Sequence, residues 1–113
     1  MDAEYLINLI DTALSETDNV VADSLHFKDD EEPVAGTKKV LLLLRSEIQH
    51  NPEAIHNRVL RAMHDLGMSA YKDFENTPLE DAIGNVTEFL YQEIPRYKEL
   101  EPLRMDFGKG DPV

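Results

Sequence analysis

The amino-acid sequence predicts an all-α fold, a compact bundle of four main helices with one or two short helices. Apolar residues recur along most of the chain with the period of a helix, and no long stretch alternates between apolar and polar residues as a half-buried strand does. The chain has 113 residues, the size of a single domain. Area scaling indicates that about two-thirds of its surface is buried on folding, which suffices for a modest core.

The first helix is predicted from residue 2 to residue 16. Asp2 is a suitable N-cap, and Glu4 follows where the positive end of the helix dipole favours a carboxylate. Residues 18–27 fit either a short helix or a strand, because the β-branched pair Val20 and Val21 also suits extended backbone. The apolar side chains of the first helix recur on one side: Leu6, Ile7, Ile10, Ala13 and Leu14.

An exposed acidic loop is predicted over residues 28–37. Pro33 disfavours helical backbone in the residue before it, and Gly36 is a second residue typical of loops. Regular structure is therefore expected to resume at Thr37. The loop contains a run of four adjacent carboxylates that repel one another: Asp29, Asp30, Glu31 and Glu32.

Two closely connected helices are predicted next. The first is capped by Thr37 and runs to about His50, and its residues 40–44 are all apolar, which predicts a central position in the bundle. Asn51 and Pro52 then offer an N-cap and a favourable first residue for the second helix, which is expected to end at Gly67. Its predicted buried side chains are Ile55, Val59, Leu60, Met63 and Leu66.

The fourth helix has the clearest local signal, a capping box at Thr77-Pro78-Leu79-Glu80 that follows a connection over residues 68–76. Pro95 is expected to end this helix and to open a short turn. Gly84, in the helix interior, suggests a close approach of another helix. Residues 101–113 are predicted to form an irregular C-terminal tail, because glycine and proline recur in them.

The net charge of −12 is distributed unevenly along the chain. Residues 1–33 carry −9, residues 34–67 carry +2 and residues 68–113 carry −5. Such asymmetry steers association with charged partners and does not specify a fold. Because the overall charge repels a nucleic acid backbone, direct binding of DNA or RNA is not expected.

The chain lacks the residue patterns of the common catalytic and metal sites. It has no cysteine and no phosphate-binding loop pattern, and most carboxylates fall at positions expected to face solvent. No two histidines lie four residues apart, the spacing that places two imidazoles on one side of a helix: they are His26, His50, His56 and His64. We therefore expect a protein that is not an enzyme and that holds no metal or cofactor.

The sequence also predicts a cytoplasmic protein without a membrane span. The first residues lack the basic stretch of a secretory signal, and the absence of cysteine suits a reducing compartment. The longest apolar run, residues 40–44, is far shorter than the roughly 20 residues that a span needs.

Two acidic patches are candidate docking surfaces for a basic protein partner, since interfaces combine aromatic anchors with charges that speed the encounter. The alternative is that these acids form a solvated surface that serves solubility. The first patch joins the end of the first helix to the acidic loop: Asp18, Asp23, Asp29, Asp30, Glu31 and Glu32. The second mixes an aromatic residue with carboxylates: Tyr71, Asp73 and Glu75.

A compact, cysteine-free helical bundle with such acidic clusters, residues 29–32 and the Tyr71-Asp73-Glu75 mixture, resembles the small helical immunity proteins of bacterial toxin systems. Those include the immunity proteins of colicins and of contact-dependent growth inhibition. The resemblance implies a cytosolic protein that binds a basic toxin, often a nuclease, and blocks its substrate cleft or a nearby exosite. The alternative is a helical adaptor or regulatory subunit whose partner binds an apolar groove. In that case residues 41–44 or the side of Phe89 are expected to be partly exposed.

Overall fold

The computed structural model describes residues 1–23 and 31–100, with no side-chain description at residues 21–23, 31–33, 71 and 73. Four α-helices are found in these ranges: α1 (Ala3–Asp23), α2 (Glu31–His50), α3 (Asn57–Asp73) and α4 (Pro78–Glu93). A short 3-10 helix follows at Pro95–Glu99. The described part of the chain contains no strand. The predicted all-α bundle of four main helices and a short one is confirmed.

Helices α1 and α2 run antiparallel. Asp11 in the middle of α1 bonds to Arg45 near the end of α2, and Asp18 near the end of α1 bonds to Lys38 near the start of α2. Each helix packs against two neighbours, because α1 contacts α2 and α4 while α3 also contacts α2 and α4. The four helices therefore surround one core.

Helix α4 is antiparallel to both of its neighbours. The ring of Tyr5, at the start of α1, lies 5.5 Å from the ring of Phe89, near the end of α4. Arg96, just after α4, donates from Nε to Asn57 Oδ1 at the start of α3, at 2.9 Å. These contacts place the outer surface of α4 between α1 on one side and α3 on the other.

The core draws apolar side chains from all four helices and from the 3-10 helix. Its largest fully buried side chains include Tyr97 and Phe74, each in a segment outside the four helices. The buried hydroxyls of Thr17 and Ser69 donate to backbone carbonyls one turn earlier in their own helices, so they cost the core little. Core residues contributed by the four helices include Leu6, Ile10, Leu41, Leu44, Leu60, Met63, Ile83 and Leu90.

Helices α1 and α2 are both longer than predicted. Helix α1 continues to Asp23, so residues 18–23 are helical and the strand alternative is wrong there; residues 24–27 lie outside the described residues. Helix α2 begins at Glu31, so the predicted loop over 28–37 is wrong from residue 31 onward, and residues 28–30 lie outside the described residues. Pro33 is tolerated because it stands in the first turn, where backbone N–H groups have no partner within the helix. Thr37 is buried inside α2 and does not cap it.

The helix predicted to begin at Pro52, after an N-cap at Asn51, begins five residues later, at Asn57. Asn51 instead closes α2, since its N–H donates to the Glu47 carbonyl at 2.8 Å, and its side-chain oxygen accepts from the Glu53 N–H at 3.1 Å. This side-chain bond two residues along the chain forms a turn rather than a helix start. The residues predicted as buried in this helix are confirmed as buried or half-buried.

Helix α3 also extends past its predicted end. It continues through Gly67 to Asp73, so the predicted connection over 68–76 is wrong up to residue 73. A Cβ placed on Gly67 would lie 3.1 Å from the Thr87 methyl carbon, so the missing side chain lets α4 approach closely. The close approach predicted at Gly84 is wrong, because a Cβ there would meet open space.

The start of α4 is confirmed as a capping box. Thr77 Oγ1 accepts from the Glu80 N–H at 3.3 Å, and Pro78 is the first helical residue. In a standard capping box the glutamate side chain accepts from the backbone N–H of the N-cap residue. Here Glu80 Oε1 accepts instead from the N–H of the preceding residue, Asn76, at 3.1 Å. Pro95 follows the helix and opens the 3-10 helix, as predicted. The predicted tail, residues 101–113, lies outside the described residues.

Candidate protein-binding surface

The acidic residues singled out in the sequence do not form one described surface. Asp18 is exposed and its carboxylate lies 3.1 Å from Lys38 Nζ, while Glu75 is exposed in the connection between α3 and α4. Asp29 and Asp30 lie outside the described residues. The remaining positions are described by their helical backbone alone: Asp23 in α1, Glu31 and Glu32 in α2, and Tyr71 and Asp73 in α3.

Two of the five acids of α1, Asp11 and Asp18, pair with bases of α2. Glu4, Asp11 and Asp18 are spaced by seven residues and therefore share one side of the helix. Arg45 Nε and Nη2 lie 2.7 and 3.2 Å from the two carboxylate oxygens of Asp11. This bond holds the pKa of Asp11 below its ordinary value. Two of the five carboxylates of α1 are thus balanced by bases of α2.

Carboxylates without a paired base are found on α4. Between residues 73 and 95 the chain has six carboxylates and no Lys or Arg. No ion pair of the described residues involves α4. Four exposed polar residues follow the helical period along its outer side and define what we name the α4 face: Asp81, Asn85, Glu88 and Gln92.

Aromatic rings border the α4 face on both sides. On the α1 side, Tyr5 is 52% exposed and packs against the half-buried Phe89. On the α3 side, Tyr91 is 42% exposed and Met68 is 47% exposed. Large apolar side chains held at the surface next to charges are typical of protein interfaces, where aromatic residues and methionine are enriched.

The ring of Tyr91 is supported from below by a buried aromatic pair. His64 and Tyr97 stack with ring centroids 3.8 Å apart, and Tyr91 meets both edge-on, at 5.5 and 4.9 Å. His64 Nε2 hydrogen-bonds to the Tyr97 carbonyl, and a carbonyl only accepts, so this nitrogen carries the proton. Burial raises the pKa of the Tyr97 phenol. The arrangement fixes Tyr91 while leaving much of its ring in solvent.

A second surface feature lies on α2. Leu41 and Leu44 are buried, but Leu42 and Leu43 are about half exposed, so the predicted central position of α2 is wrong. The reason is that α2 packs only on α1 and α3 within the described bundle. The two exposed leucines line a shallow depression of about 410 Å³ with Ala35, Lys38 and Lys39.

The described residues contain no group of three or more His, Asp or Glu side chains placed to bind a metal ion. None of the helices in the described ranges combines the length and apolar character that crossing a membrane requires. Comparison of the chain with protein-family models, curated proteins and solved structures gives no match. Inference about function therefore depends on the surfaces described above.

Sequence reasoning missed the α4 face although a signal was present. The base-free run from residue 73 to residue 95 is visible in the sequence, and the capping box fixes where the helix starts. From that start, the helical period places Asp81 and Glu88 on the side opposite the buried Ile83 and Leu90. The supporting pair of His64 and Tyr97 had no comparable signal, because the two residues are 33 positions apart.

Proposed function

We propose that this protein is an inhibitor that binds a basic protein through the α4 face, in the manner of a cytoplasmic immunity protein that neutralises a bacterial toxin. The observation that carries the proposal is the combination of uncompensated carboxylates, Asp81 and Glu88, with exposed aromatic rings on both sides of them. The proposed activity is binding and requires no catalytic group, metal or cofactor.

The physical chemistry of the α4 face suits a partner that itself binds nucleic acid. A nuclease presents Lys and Arg residues to phosphates, and carboxylates on a rigid helix can take the place of those phosphates. Opposite charges on the two surfaces accelerate encounter, with association rate constants up to about 10⁸–10⁹ M⁻¹s⁻¹ at low salt. Aromatic side chains beside the charges supply apolar contact that slows dissociation.

The test begins with capture of the partner by the tagged protein in its native host, followed by purification of that partner. The proposal expects a basic protein whose activity is lost on equimolar addition of the inhibitor. Replacing two carboxylates of the α4 face, Asp81→Asn with Glu88→Gln, is expected to raise the concentration needed for inhibition at least about tenfold. A matched double variant, Glu4→Gln with Glu53→Gln, changes the net charge equally and is expected to inhibit nearly as well as the wild type.

A captured partner that is a neutral or acidic enzyme subunit, or a basic protein that remains fully active in the complex, would contradict the proposal. Equal loss of inhibition in the two double variants would also contradict it, because the effect would then come from net charge and not from the α4 face.

The exposed leucines of α2 favour a second candidate, an adaptor that binds through an apolar surface. Lys38 and Lys39 border Leu42 and Leu43, so the matching partner is an amphipathic helix with carboxylates beside its apolar stripe. Replacing both leucines with Gln would then abolish binding while the α4 double variant would bind normally. The inhibitor proposal expects the opposite pattern from the same pair of variants.

A further inference from the structure

The groove between α3 and α4 lies beside the α4 face and has a mainly apolar lining. Its volume is about 260 Å³, and Gly67, Met68, Thr87 and Tyr91 form its walls above the stacked pair of His64 and Tyr97. The groove is open to solvent, since Met68 and Tyr91 are both nearly half exposed. Its floor and walls are already packed, so a ligand would enter without opening the core.

The exposed ring of Tyr91 has no internal cation on it. Within the described residues its ring contacts are with His64 and Tyr97, whose planes are nearly perpendicular to it, and no Lys or Arg packs on it. Glu88 stands three residues earlier on the same helix, the spacing that makes two side chains neighbours on a helix surface. The Glu88 carboxylate accepts a long hydrogen bond of 3.5 Å from the Gln92 side-chain amide. A partly exposed aromatic ring and an exposed carboxylate are therefore available side by side.

One common side chain matches both groups at once. The guanidinium of arginine is planar, stacks on aromatic rings, and donates paired hydrogen bonds to a carboxylate. Lysine offers a point charge that uses the carboxylate but stacks less well, and a neutral aromatic side chain leaves the carboxylate without a partner. Arginine is also enriched among the residues that dominate binding energy in interfaces.

We propose that the α3/α4 groove holds an arginine side chain of the basic partner, with its stem against Met68 and Thr87 and its guanidinium between Tyr91 and Glu88. The identity of the partner rests on the function proposed above. The groove itself is defined by this chain alone, and it can be tested with a probe that needs no partner protein.

The experiment is an NMR titration of the full chain with the peptide Ac-Gly-Arg-Gly-NH2, followed through the Met68 methyl signal and the Tyr91 ring signals. The controls are the same peptide with citrulline, which keeps the shape and removes the charge, and the same peptide with lysine. We expect saturable shifts at Met68 and Tyr91, with affinity at least about threefold weaker for lysine and weaker still for citrulline.

Two variants of the groove and one matched control complete the test. Tyr91→Leu and Glu88→Gln are each expected to weaken the arginine peptide at least about threefold. Glu53→Gln, which removes an exposed carboxylate in the connection between α2 and α3, is expected to leave the affinity unchanged. Glu88 is exposed, so its replacement tests the groove even if Tyr91→Leu disturbs the fold.

Equal affinities for the arginine and citrulline peptides, or shifts that fall outside the groove, would overturn the proposal. So would wild-type affinity in the Glu88→Gln variant. Failure of the proposed function looks different: the arginine peptide would bind as expected, whereas the partner captured from the host would not be a basic protein that loses activity in the complex.

Discussion

A carboxylate at the corner between α2 and α3 provides the sharpest stability prediction. Glu47 Oε1 accepts from the backbone N–H of His56 at 2.7 Å, and the Nδ1 atom of the same histidine lies 2.8 and 2.9 Å from the two carboxylate oxygens. The bonds join the last turns of α2 to the residue that precedes α3. They hold the pKa of Glu47 below its ordinary value, chiefly through the backbone bond.

The expected effect of Glu47→Gln follows from these contacts. A hydrogen bond to a charged group contributes about 1.5–3 kcal/mol to stability, but the Glu47 side chain is still 23% exposed and an amide oxygen can keep one of the bonds. We therefore expect a loss of roughly 1 kcal/mol, or about 4 °C in Tm for a chain of this size. Glu and Gln have similar helix propensities, so the change isolates the charge.

The pH dependence gives an independent check of the same interaction. Because the folded-state pKa of Glu47 is lowered, its stabilising effect is complete above the unfolded-state pKa of about 4.3 and is lost as the pH falls through the folded-state value. Urea unfolding of wild type and Glu47→Gln, followed by circular dichroism, should differ by the full amount at pH 6–7 and converge below about pH 4.3.

The matched control is Glu53→Gln in the same connection, where the carboxylate is exposed. We expect this variant to unfold like the wild type at every pH. If Glu47→Gln were no less stable than Glu53→Gln at pH 7, or if the difference persisted unchanged into acid, the reasoning from the His56 contacts would be wrong.

The remaining stability predictions concern α3, α4 and the 3-10 helix, and thermal or urea unfolding checks each of them. Gly84→Ala should stabilise the protein by about 0.5–1 kcal/mol, because the added Cβ meets open space. Gly67→Ala should stabilise it less, because the added Cβ would lie 3.1 Å from the Thr87 methyl carbon. Equal gains in the two variants would contradict the packing argument. Thr77→Ala should cost about 1 kcal/mol through loss of the N-cap bond, and Thr77→Ser should recover most of it. Tyr97→Phe should be neutral or stabilising, because the buried hydroxyl has no partner among the described residues; a loss above about 1 kcal/mol would reveal one.

The sequence was sufficient to predict the structure wherever a single local signal determined it. The capping box at Thr77 and the proline at residue 95 gave correct ends for α4 and the 3-10 helix, because each acts through backbone bonds within four residues. The apolar period likewise identified the buried residues of α3, since burial follows the helix face and not the exact ends of the helix.

The predicted helix boundaries were wrong where a local sequence signal is compatible with two different structures. Pro33 can precede a helix or stand in its first turn, and Asn51 can cap a helix or form a turn of its own. Gly67 can end a helix or allow close packing, and the position of Thr87 decides between them. For Gly67 the choice is made by packing against another helix, which a single sequence does not contain.

The candidate protein-binding surface could be predicted only in part, because the sequence does not show how the helices pack. Counting charges along the chain gave weight to the acidic first third, yet Arg45 and Lys38 from the next helix balance Asp11 and Asp18. Charge compensation between helices can be predicted only when it is known which helices are neighbours. The α4 carboxylates stand out because neither their own helix nor a described neighbour supplies a base to them.

The most direct test of the central claim is the association rate constant between this protein and its captured partner, measured by stopped flow over a range of ionic strength. Binding through the α4 face predicts that Asp81→Asn with Glu88→Gln slows association about tenfold at low salt and flattens its salt dependence. The control pair, Glu4→Gln with Glu53→Gln, should slow it less than about threefold. An α4 double variant that associates at the wild-type rate would contradict the claim.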